Sequence, residues 1–309
     1  MNTADIAYTV ALCTHNHAPR LACTLRALAG LIQPEQPWEF LVIDNASTDD
    51  TAAILADISW RFPGPEVRMV REEKLGLSNA RNRAIAEARG EYIIFIDDDE
   101  TPDPEWLRAH EGAIQQARPD ALGGRIDVMF EDGRRPPWLA DELLGFLGKL
   151  DHGGPQRQLT DPKTPIFGGN FGFKKNVFDK IGLFDAGLGR KGTDNTGGED
   201  TEIYHRLLDA GCRVWWAPGA IINHRIQVGK LTRRYFLDLH YREGRTEGFR
   251  ARGKRSRIPP LYLYPQLWHA IWNAFVVWRS GGHNATLRKE MNIAYFVGYI
   301  LGWALGCVS

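Results

Sequence analysis

A hydrophobic run ends in three consecutive aspartates at Ile93-Ile94-Phe95-Ile96-Asp97-Asp98-Asp99. An apolar run of this length is typical of a buried β-strand, and in open α/β sheets ligands bind where the strands end. Adjacent carboxylates repel each other unless a cation lies between them, and Mg²⁺ and Mn²⁺ prefer such oxygen ligands. The run therefore predicts a metal and ligand site at the carboxyl edge of a sheet. A solvated acidic loop is the alternative.

Composition allows one large domain with an appendage. The chain has 309 residues, of which 43% are hydrophobic, and this is enough for a sizeable core. The formal net charge is zero, so general attraction to nucleic acid is not expected. Four cysteines show no metal-ligand spacing, which is typical of thiols in a reducing compartment. The N-terminus lacks the pattern of a signal peptide, so we expect a cytoplasmic catalytic body.

The first half of the chain alternates short apolar runs with helical periodicity. The predicted strands are Ala7–Cys13, Phe40–Ile43, Val67–Val70 and Tyr92–Ile96. Helices are predicted to begin near Pro19, after a cap at Thr48-Asp49-Asp50, at a cap formed by Ser78, and at Pro104. This βαβαβαβ order predicts an α/β fold with a doubly wound, mostly parallel sheet and helices on both faces.

The pattern becomes irregular after Gly124. A glycine-rich stretch over residues 187–198 then precedes a helix that is predicted to begin at Glu199 and Asp200. Two short strands are predicted at Val214–Trp216 and Ala220–Ile222. We assign residues 1–228 to one catalytic domain.

Residues 229–309 differ from that domain and form a predicted helical appendage. The sequence from Arg225 to Arg257 contains eleven basic residues and only three acidic ones. Leu261–Trp278 is rich in Trp, Tyr and Leu. Met291–Val308 carries no formal charge and, as a helix, would span about 27 Å, just short of a hydrocarbon core. We expect association with a membrane surface. A bilayer span, a buried helical hairpin and a merely solvated basic face are the alternatives.

Polar residues follow the ends of three predicted strands and should meet at one sheet edge. They are Thr14 and Asn16 after the first strand, Asp44 and Asn45 after the second, and Asp97, Asp98 and Asp99 after the fourth. Asp44 could accept hydrogen bonds from a base or ribose, Asp97 could bind ribose hydroxyls, and Asp99 could hold a metal on a diphosphate. Singly, Thr14, Asn16 and Asn45 are better explained by turn hydrogen bonds. Together, the residues favour a nucleotide site.

Three later residues are candidates for chemistry. Asp200 could remove a proton from an acceptor hydroxyl if the glycine-rich loop brings it over the cleft. Glu199, beside it, is explained as well by ordinary stabilisation of a helix N-terminus. His224 follows an apolar strand and could complete a metal shell with Asp99, although a lone histidine is more often structural.

Six short motifs occur in a fixed order. They are Val-Ile-Asp44-Asn-Ala-Ser-Thr-Asp, Gly76-Leu-Ser-Asn-Ala-Arg81-Asn, Phe-Ile-Asp97-Asp-Asp99, Gly168-Gly-Asn170, Phe184-Asp and Glu199-Asp200. In this succession the chain resembles glycosyltransferase family 2 with the GT-A fold, from roughly Ala7 to Arg225. The residues after Gly168 and after His224 are similar to those of bacterial exopolysaccharide enzymes, including the hormogonium polysaccharide type.

The resemblance implies inverting transfer of a sugar from a nucleoside-diphosphate sugar to a glycan or lipid-linked acceptor, with Mn²⁺ or Mg²⁺ as cofactor. On the donor side, it implies that Asp44 contacts the nucleoside, that Arg81 lies near the nucleotide, and that Asp97 and Asp99 form the Asp-x-Asp motif. It further implies that His224 is a metal ligand and that Asp200 is the general base. Gly169 and Asn170 would lie near the donor sugar or acceptor. The Gln-x-x-Arg-Trp motif of processive synthases is missing, so addition of a single sugar is expected. The expected location is the inner face of the plasma membrane.

Two other functions fit parts of the sequence. Asp97-x-Asp99-x-Thr101 after an apolar strand also fits the first motif of haloacid-dehalogenase phosphatases, with Asp97 as nucleophile. Three strand–helix units precede it, however, whereas that motif normally comes early in the chain. A catalytically silent, membrane-anchored scaffold is the second alternative, and the intact acidic motifs count against it.

Overall fold

Four parallel strands form the first half of the sheet in this computed structural model, which describes residues 6–58, 62, 64–189, 198–253, 256–282 and 285–305. They are β1 (Tyr8–Thr14), β2 (Trp38–Asp44), β3 (Glu66–Arg71) and β4 (Tyr92–Asp97), in the spatial order β3-β2-β1-β4. Every residue of β1 and β2 is buried, because apolar residues on both sides of these strands are covered by helices or by core side chains. The four strands lie where the apolar runs predicted them.

Helices connect these strands. They are α1 (Ala18–Ala29), α2 (Thr51–Ile58) and α3 (Leu77–Glu87). At the start of α2, the Asp49 carboxylate accepts a hydrogen bond of 3.1 Å from the Thr51 backbone N–H, as the predicted cap requires. The prediction that Ser78 caps α3 is wrong. The N-cap is Gly76, and the Ser78 hydroxyl instead donates to the Leu188 carbonyl oxygen at 2.8 Å.

The second half of the sheet is antiparallel. Its strands are β5 (Glu100–Pro102), β6 (Ala121–Phe130), β7 (Arg157–Leu159), β8 (Phe171–Lys174) and β9 (Val214–Ile226). The sheet continues from β4 in the order β8-β6-β9-β5, and β7 also pairs with β9. The accompanying helices are α4 (Trp106–Ala117), α5 (Phe178–Ile181) and α6 (Glu199–Asp209). The α/β fold class is confirmed, with a sheet that is mixed rather than parallel throughout.

One strand, β9, replaces the two short strands predicted after residue 213. The sequence pattern broke at Pro218 and Gly219, which usually mark a turn. Here the chain stays extended through both residues. The continuous strand carries His224 to the register position opposite Glu100 of β5.

The chain forms two compact units, one of residues 1–128 and 148–225 and the other of residues 129–147 and 226–309. Residues 129–147 thus belong to the second unit, which no pattern in the sequence indicates. The predicted boundary between 228 and 229 lies three residues beyond the end of the first unit.

The second unit is built around three helices, α7 (Arg233–Arg252), α8 (Leu263–Gly281) and α9 (Leu287–Leu305). Helices α7 and α9 approach closely through glycines: a Cβ atom on Gly244 would overlap the backbone of Tyr295, and one on Gly302 would overlap the backbone of Arg245. Gly298, Gly302 and Gly306 recur at every fourth residue of the sequence, and the first two serve a contact within the chain. Gly306 lies outside the described residues, as do Lys254 and Arg255 of the basic stretch.

None of the helices in the described part of the chain combines the length and the apolar composition needed to cross a bilayer.

Candidate active site

Strand register brings residues that are distant in sequence to one edge of the sheet. Thr14 of β1 lies opposite Asp44 of β2, and Cys13 lies opposite Asp97 of β4. The expected meeting of polar residues at the ends of β1, β2 and β4 is therefore observed. A cleft of about 170 Å³ opens there. Its walls are formed by Cys13, Thr14, His15, His17, Asn45, Leu75, Gly76, Leu77, Ala80, Asp97, Asp98 and Asp99.

Asp98, the middle aspartate, is held by protein groups. One carboxylate oxygen accepts a hydrogen bond of 2.6 Å from the Thr14 hydroxyl, and the other lies 2.7 Å from Nδ1 of His17. The hydrogen bond to Asp98 raises the pKa of His17, although burial opposes the shift. Sequence reasoning missed His17, because nothing in its neighbourhood marks it as a partner of residue 98. Thr14 and Asp98, predicted to bind the nucleotide, thus contact each other on the cleft wall.

Asp99 lies beside His224, as predicted. Nε2 of His224 is 3.4 Å from the Asp99 carboxylate, and both side chains are largely buried. The backbone N–H of Arg225 donates to the Asp99 carbonyl oxygen at 3.0 Å, which fixes β9 against the aspartate run.

These two groups fit a divalent cation. Their separation is close to that of neighbouring ligands on one ion, because each metal–ligand bond is about 2.1 Å, and a carboxylate with an imidazole is a usual donor set for Mn²⁺. Within the described residues, no cluster of three or more His, Cys, Asp or Glu side chains has the arrangement of a metal site. The rest of the coordination shell would have to come from substrate oxygens and water.

Glu100 is a buried acid that sequence reasoning did not single out. Its carboxylate accepts a hydrogen bond of 3.0 Å from the backbone N–H of Asp97. Burial, and then the charges of Asp97 and Asp99, raise the pKa of Glu100 well above its usual range. A buried acid at this position braces the backbone of the aspartate run.

The loops around the cleft depend on Asp44, Asn45 and Asn16. Asp44 accepts hydrogen bonds from the Ser47 backbone N–H at 3.0 Å and from the Arg71 guanidinium at 2.8 Å. Asn45 donates to the carbonyls of Glu72 and Lys74 and accepts from the N–H of Gly76. Asn16, at φ +53°, accepts from the N–H of Thr48. These side chains thus join loops that are 27 to 32 residues apart in the chain, and they do not make the local turn hydrogen bonds that were their alternative explanation.

Arg81 connects the aspartate run to the start of α6. Its guanidinium is 2.8 Å from the Asp200 carboxylate, 3.2 Å from that of Glu199 and 3.4 Å from that of Asp97. The side chain is 2% exposed, and its guanidinium lies over the ring of Phe171 at 5.1 Å from the centroid. Burial alone would lower the pKa of Arg81, but the carboxylates of Asp200, Asp97 and Glu199 outweigh it and leave the pKa above its ordinary value.

Asp200 is oriented by two donors. One carboxylate oxygen accepts from Arg81, and the other accepts from the backbone N–H of Gly168 at 2.9 Å. A Cβ atom on Gly168 would overlap the guanidinium of Arg81, and one on Gly169 would overlap the carboxylate of Glu100. The Gly-Gly pair therefore provides the space in which buried charged groups pack. Gly169, which was expected near the donor sugar or acceptor, lies against the buried carboxylate of Glu100.

Glu199 is buried more deeply than Asp200. One of its oxygens contacts Arg81, and among the described residues its Oε2 has no hydrogen-bond partner. Burial, and then the charge of Asp200, raise the pKa of Glu199, while Arg81 opposes the shift. The glycine-rich stretch before α6 was expected to carry these acids over the cleft, but its residues 190–197 lie outside the described part of the chain.

The polar atoms of Asn170 are all used within the protein. Its oxygen accepts from Trp106 Nε1 at 2.8 Å and lies 3.0 Å from Nε2 of His110, and its amide donates to the carbonyls of Arg125 and Ala220. The residue is completely buried. The structure therefore gives Asn170 a role in joining α4, β6 and β9 just before β8 begins, and not a place on the cleft wall.

Comparison with known proteins decides the family. A sequence model of Glycosyl transferase family 2 matches residues 9–182, more than half of the chain. The chain belongs to this family. The expected membership is thus confirmed, and it counts against the phosphatase alternative, which requires a different family.

Two relatives illustrate the relationship. Glucosyl-dolichyl phosphate glucuronosyltransferase of Haloferax volcanii is 24% identical over 221 residues, covering 71% of this chain and 69% of that protein. Succinoglycan biosynthesis protein ExoO of Rhizobium meliloti is 30% identical over 246 residues, covering 76% of this chain and 64% of that protein.

Solved structures show the same fold. S. aureus TarS 1–349 in complex with UDP-GlcNAc superposes with a TM-score of 0.51 at 17% identity, over 77% of this chain and 66% of that one. GalNAc-T7 with UDP, GalNAc and Mn²⁺ gives a TM-score of 0.56 at 19% identity, over 77% of this chain and 48% of that one. This chain is a glycosyltransferase with a GT-A fold.

Proposed function

We propose that the enzyme transfers one sugar, with inversion, from a nucleoside-diphosphate sugar to a glycan or lipid-linked acceptor in the synthesis of a cell-surface polysaccharide. The observation that carries the proposal is the joint position of Asp99 with His224 and of Arg81 with Asp200 around the ends of β1 and β4. Arg81 thereby links the aspartate run, through Asp97, to the candidate base.

The donor end of the reaction is assigned to the aspartate run. Asp99 and His224 would hold Mn²⁺ or Mg²⁺, which when bound would supply positive charge to the departing diphosphate. Asp97 and Asp44 are the carboxylates available to the ribose and the base. The likeness to structures solved with UDP-GlcNAc and with UDP and Mn²⁺ supports this assignment.

The acceptor end is assigned to Asp200. Arg81 and the Gly168 N–H hold its two oxygens in place, yet each carboxylate oxygen has a further lone pair that can take a proton from a hydroxyl. Attack of that hydroxyl oxygen on the anomeric carbon forms the new glycosidic bond as the bond to the diphosphate breaks. The proton moves to Asp200, and the nucleoside diphosphate leaves. A single displacement of this kind inverts the anomeric configuration.

The names of the relatives and the charge of the second unit support the proposed acceptor class and location. One relative is named for transfer involving glucosyl-dolichyl phosphate, and the other for succinoglycan biosynthesis. A lipid-linked acceptor would require the enzyme to work at the inner face of the plasma membrane, for which the basic stretch between Lys230 and Arg257 provides charge.

The test is a panel of nucleotide sugars assayed with the full chain for release of nucleoside diphosphate, with Mn²⁺, with Mg²⁺ and with a chelator. We expect one donor to be consumed in a metal-dependent manner, and NMR of the product to show the anomeric configuration opposite to that of the donor. Retention of configuration would contradict the inverting mechanism. Failure to bind any of the sugar nucleotides in the presence of Mn²⁺ would support the scaffold alternative.

A further inference from the structure

Helix α8 presents large apolar side chains on a face that the described residues leave uncovered. We call this the aromatic face, and it consists of Tyr264, Trp268, Ile271, Trp272, Phe275 and Trp278. Its three tryptophans are 68%, 55% and 53% exposed, in chain order. The six residues of the aromatic face follow one another at intervals of one, three or four residues, which places them on one side of the helix. An exposed apolar patch of this size marks an interaction site.

The other side of α8 is already packed. Leu263, Ala270 and Ala274 are its buried residues, and they lie within the second unit. The helix therefore does not need the aromatic face in order to join its neighbours. Trp272 and Phe275 pack against each other at 5.9 Å between ring centroids, and Phe275 lies 6.1 Å from Trp278. The rings thus form a continuous surface.

The segments that precede and follow α8 in the sequence carry charge of one sign. Between Gly248 and Lys289 the sequence contains no acidic residue. It contains eight basic residues over the same range: Arg250, Arg252, Lys254, Arg255, Arg257, Arg279, Arg288 and Lys289. A protein partner with an ordinary mixed surface would not require such a bias, whereas an anionic lipid surface attracts it.

We propose that the aromatic face of α8 lies in the interfacial layer of a bilayer that contains anionic lipids. Tryptophan and tyrosine rings are suited to that layer, because their apolar bodies enter the acyl boundary while their N–H and O–H groups stay hydrated. Arg257 and Arg279, both exposed, can extend to the headgroups from either end of the helix. This inference deepens the proposed function. It rests on that proposal, because a lipid-linked acceptor is the reason for the enzyme to work at a membrane.

The first experiment measures sedimentation of the full chain with sucrose-loaded vesicles of phosphatidylglycerol and phosphatidylcholine, and with vesicles of phosphatidylcholine alone. We expect binding to the anionic vesicles that weakens with salt. The double variant Trp268→Glu/Trp272→Glu should bind at least about tenfold more weakly, because two carboxylates would have to enter the interface. Leu183→Glu, the same kind of change at a 51% exposed residue of the first unit, should bind like wild type.

A second measurement keeps the test valid if the glutamate variant does not fold. Trp268→Phe/Trp272→Phe retains aromatic rings and should still bind vesicles. With lipids brominated near the headgroup end of the acyl chains, quenching of tryptophan fluorescence should be strong in wild type and clearly smaller in this variant. Equal quenching in the two proteins would show that these tryptophans do not enter the bilayer, and would overturn the proposal.

Other outcomes also decide the question. Absence of wild-type binding to anionic vesicles would contradict the proposal. So would a wild-type dimer in sedimentation velocity that the glutamate variant disrupts while vesicle binding is unchanged, since the face would then join two copies of the chain. Donor turnover without vesicles should be equal in wild type and both variants. If the proposed function is wrong, the wild-type protein will not turn over any donor. If this inference is wrong, the glutamate variant will bind vesicles as well as wild type does.

Discussion

The acids at the end of β4 and the acids at the start of α6 are held in different ways. Asp98 and Asp99 follow β4, whose register is fixed by pairing with β1 and β8. Thr14 and His17 contact Asp98, and His224 contacts Asp99. Glu199 and Asp200 depend on a single guanidinium, that of Arg81, and on one backbone N–H. The sheet therefore determines the position of the proposed cation site, whereas one buried side chain determines the position of the proposed base.

The largest effect is expected at the base. Asp200→Asn should lower kcat by about 10³-fold or more, because the amide cannot take the proton, while the KM for the donor stays within a few-fold. Steady-state kinetics with the consumed donor measure both values. Asp209→Asn changes an exposed acid of the same helix and should leave both values unchanged. A kcat for Asp200→Asn close to that of wild type would show that another group is the base.

A somewhat smaller effect is expected at Arg81. Arg81→Lys keeps the charge but cannot reach three carboxylates at once, so the free energy of unfolding should fall by about 3 kcal/mol. Chemical denaturation measures it. The matched change is Arg83→Lys on the same helix, where the arginine is 39% exposed and pairs with Glu87, and it should cost under about 1 kcal/mol. Equal losses in the two variants would mean that the buried cluster contributes nothing special.

The cation site should respond more weakly still. His224→Ala removes one of two candidate ligands, so the Mn²⁺ concentration for half-maximal activity should rise by about 10- to 100-fold. Calorimetric titration with Mn²⁺ in the presence of the nucleoside diphosphate provides a readout that does not depend on turnover. An unchanged Mn²⁺ affinity would remove His224 from the shell and leave its neighbour Asp99 as the candidate.

The smallest effect is expected at His17. Its folded pKa is raised by Asp98, so its contribution to stability is fully present below the unfolded pKa of about 6.5 and disappears as the pH rises through the higher folded value. The difference in unfolding free energy between wild type and His17→Gln should be largest in mild acid, and under about 1 kcal/mol because the ring is 39% exposed. His205→Gln, at an exposed position on α6, serves as control. A difference that grows with pH would have the wrong sign.

Much of the donor side was visible in the sequence, because it depends on short-range patterns. The apolar runs placed β1 to β4, and parallel order alone required Asp44 and Asp97 to end at the same edge. His224 was predicted to lie near Asp99 from its position after an apolar segment and from the family resemblance.

The remainder depends on contacts that no local pattern encodes. His17 reaches Asp98 from the loop before α1, in which the neighbouring Asn16 takes a positive φ. Glu100 was passed over because acidic residues are normally exposed, whereas this one is buried against Gly169. Asn170 was expected near substrate, but its hydrogen bonds join one helix, α4, and two strands, β6 and β9, that are far apart in sequence.

The backbone contact between α7 and α9 has a consequence for handling the protein. Helices that meet backbone to backbone at glycines gain direct atomic attraction along the contact, and this part of their association does not require an aqueous solvent. Mild detergents that dissolve membranes should therefore leave this helix pair assembled, and extraction of the enzyme from cells need not destroy the second unit.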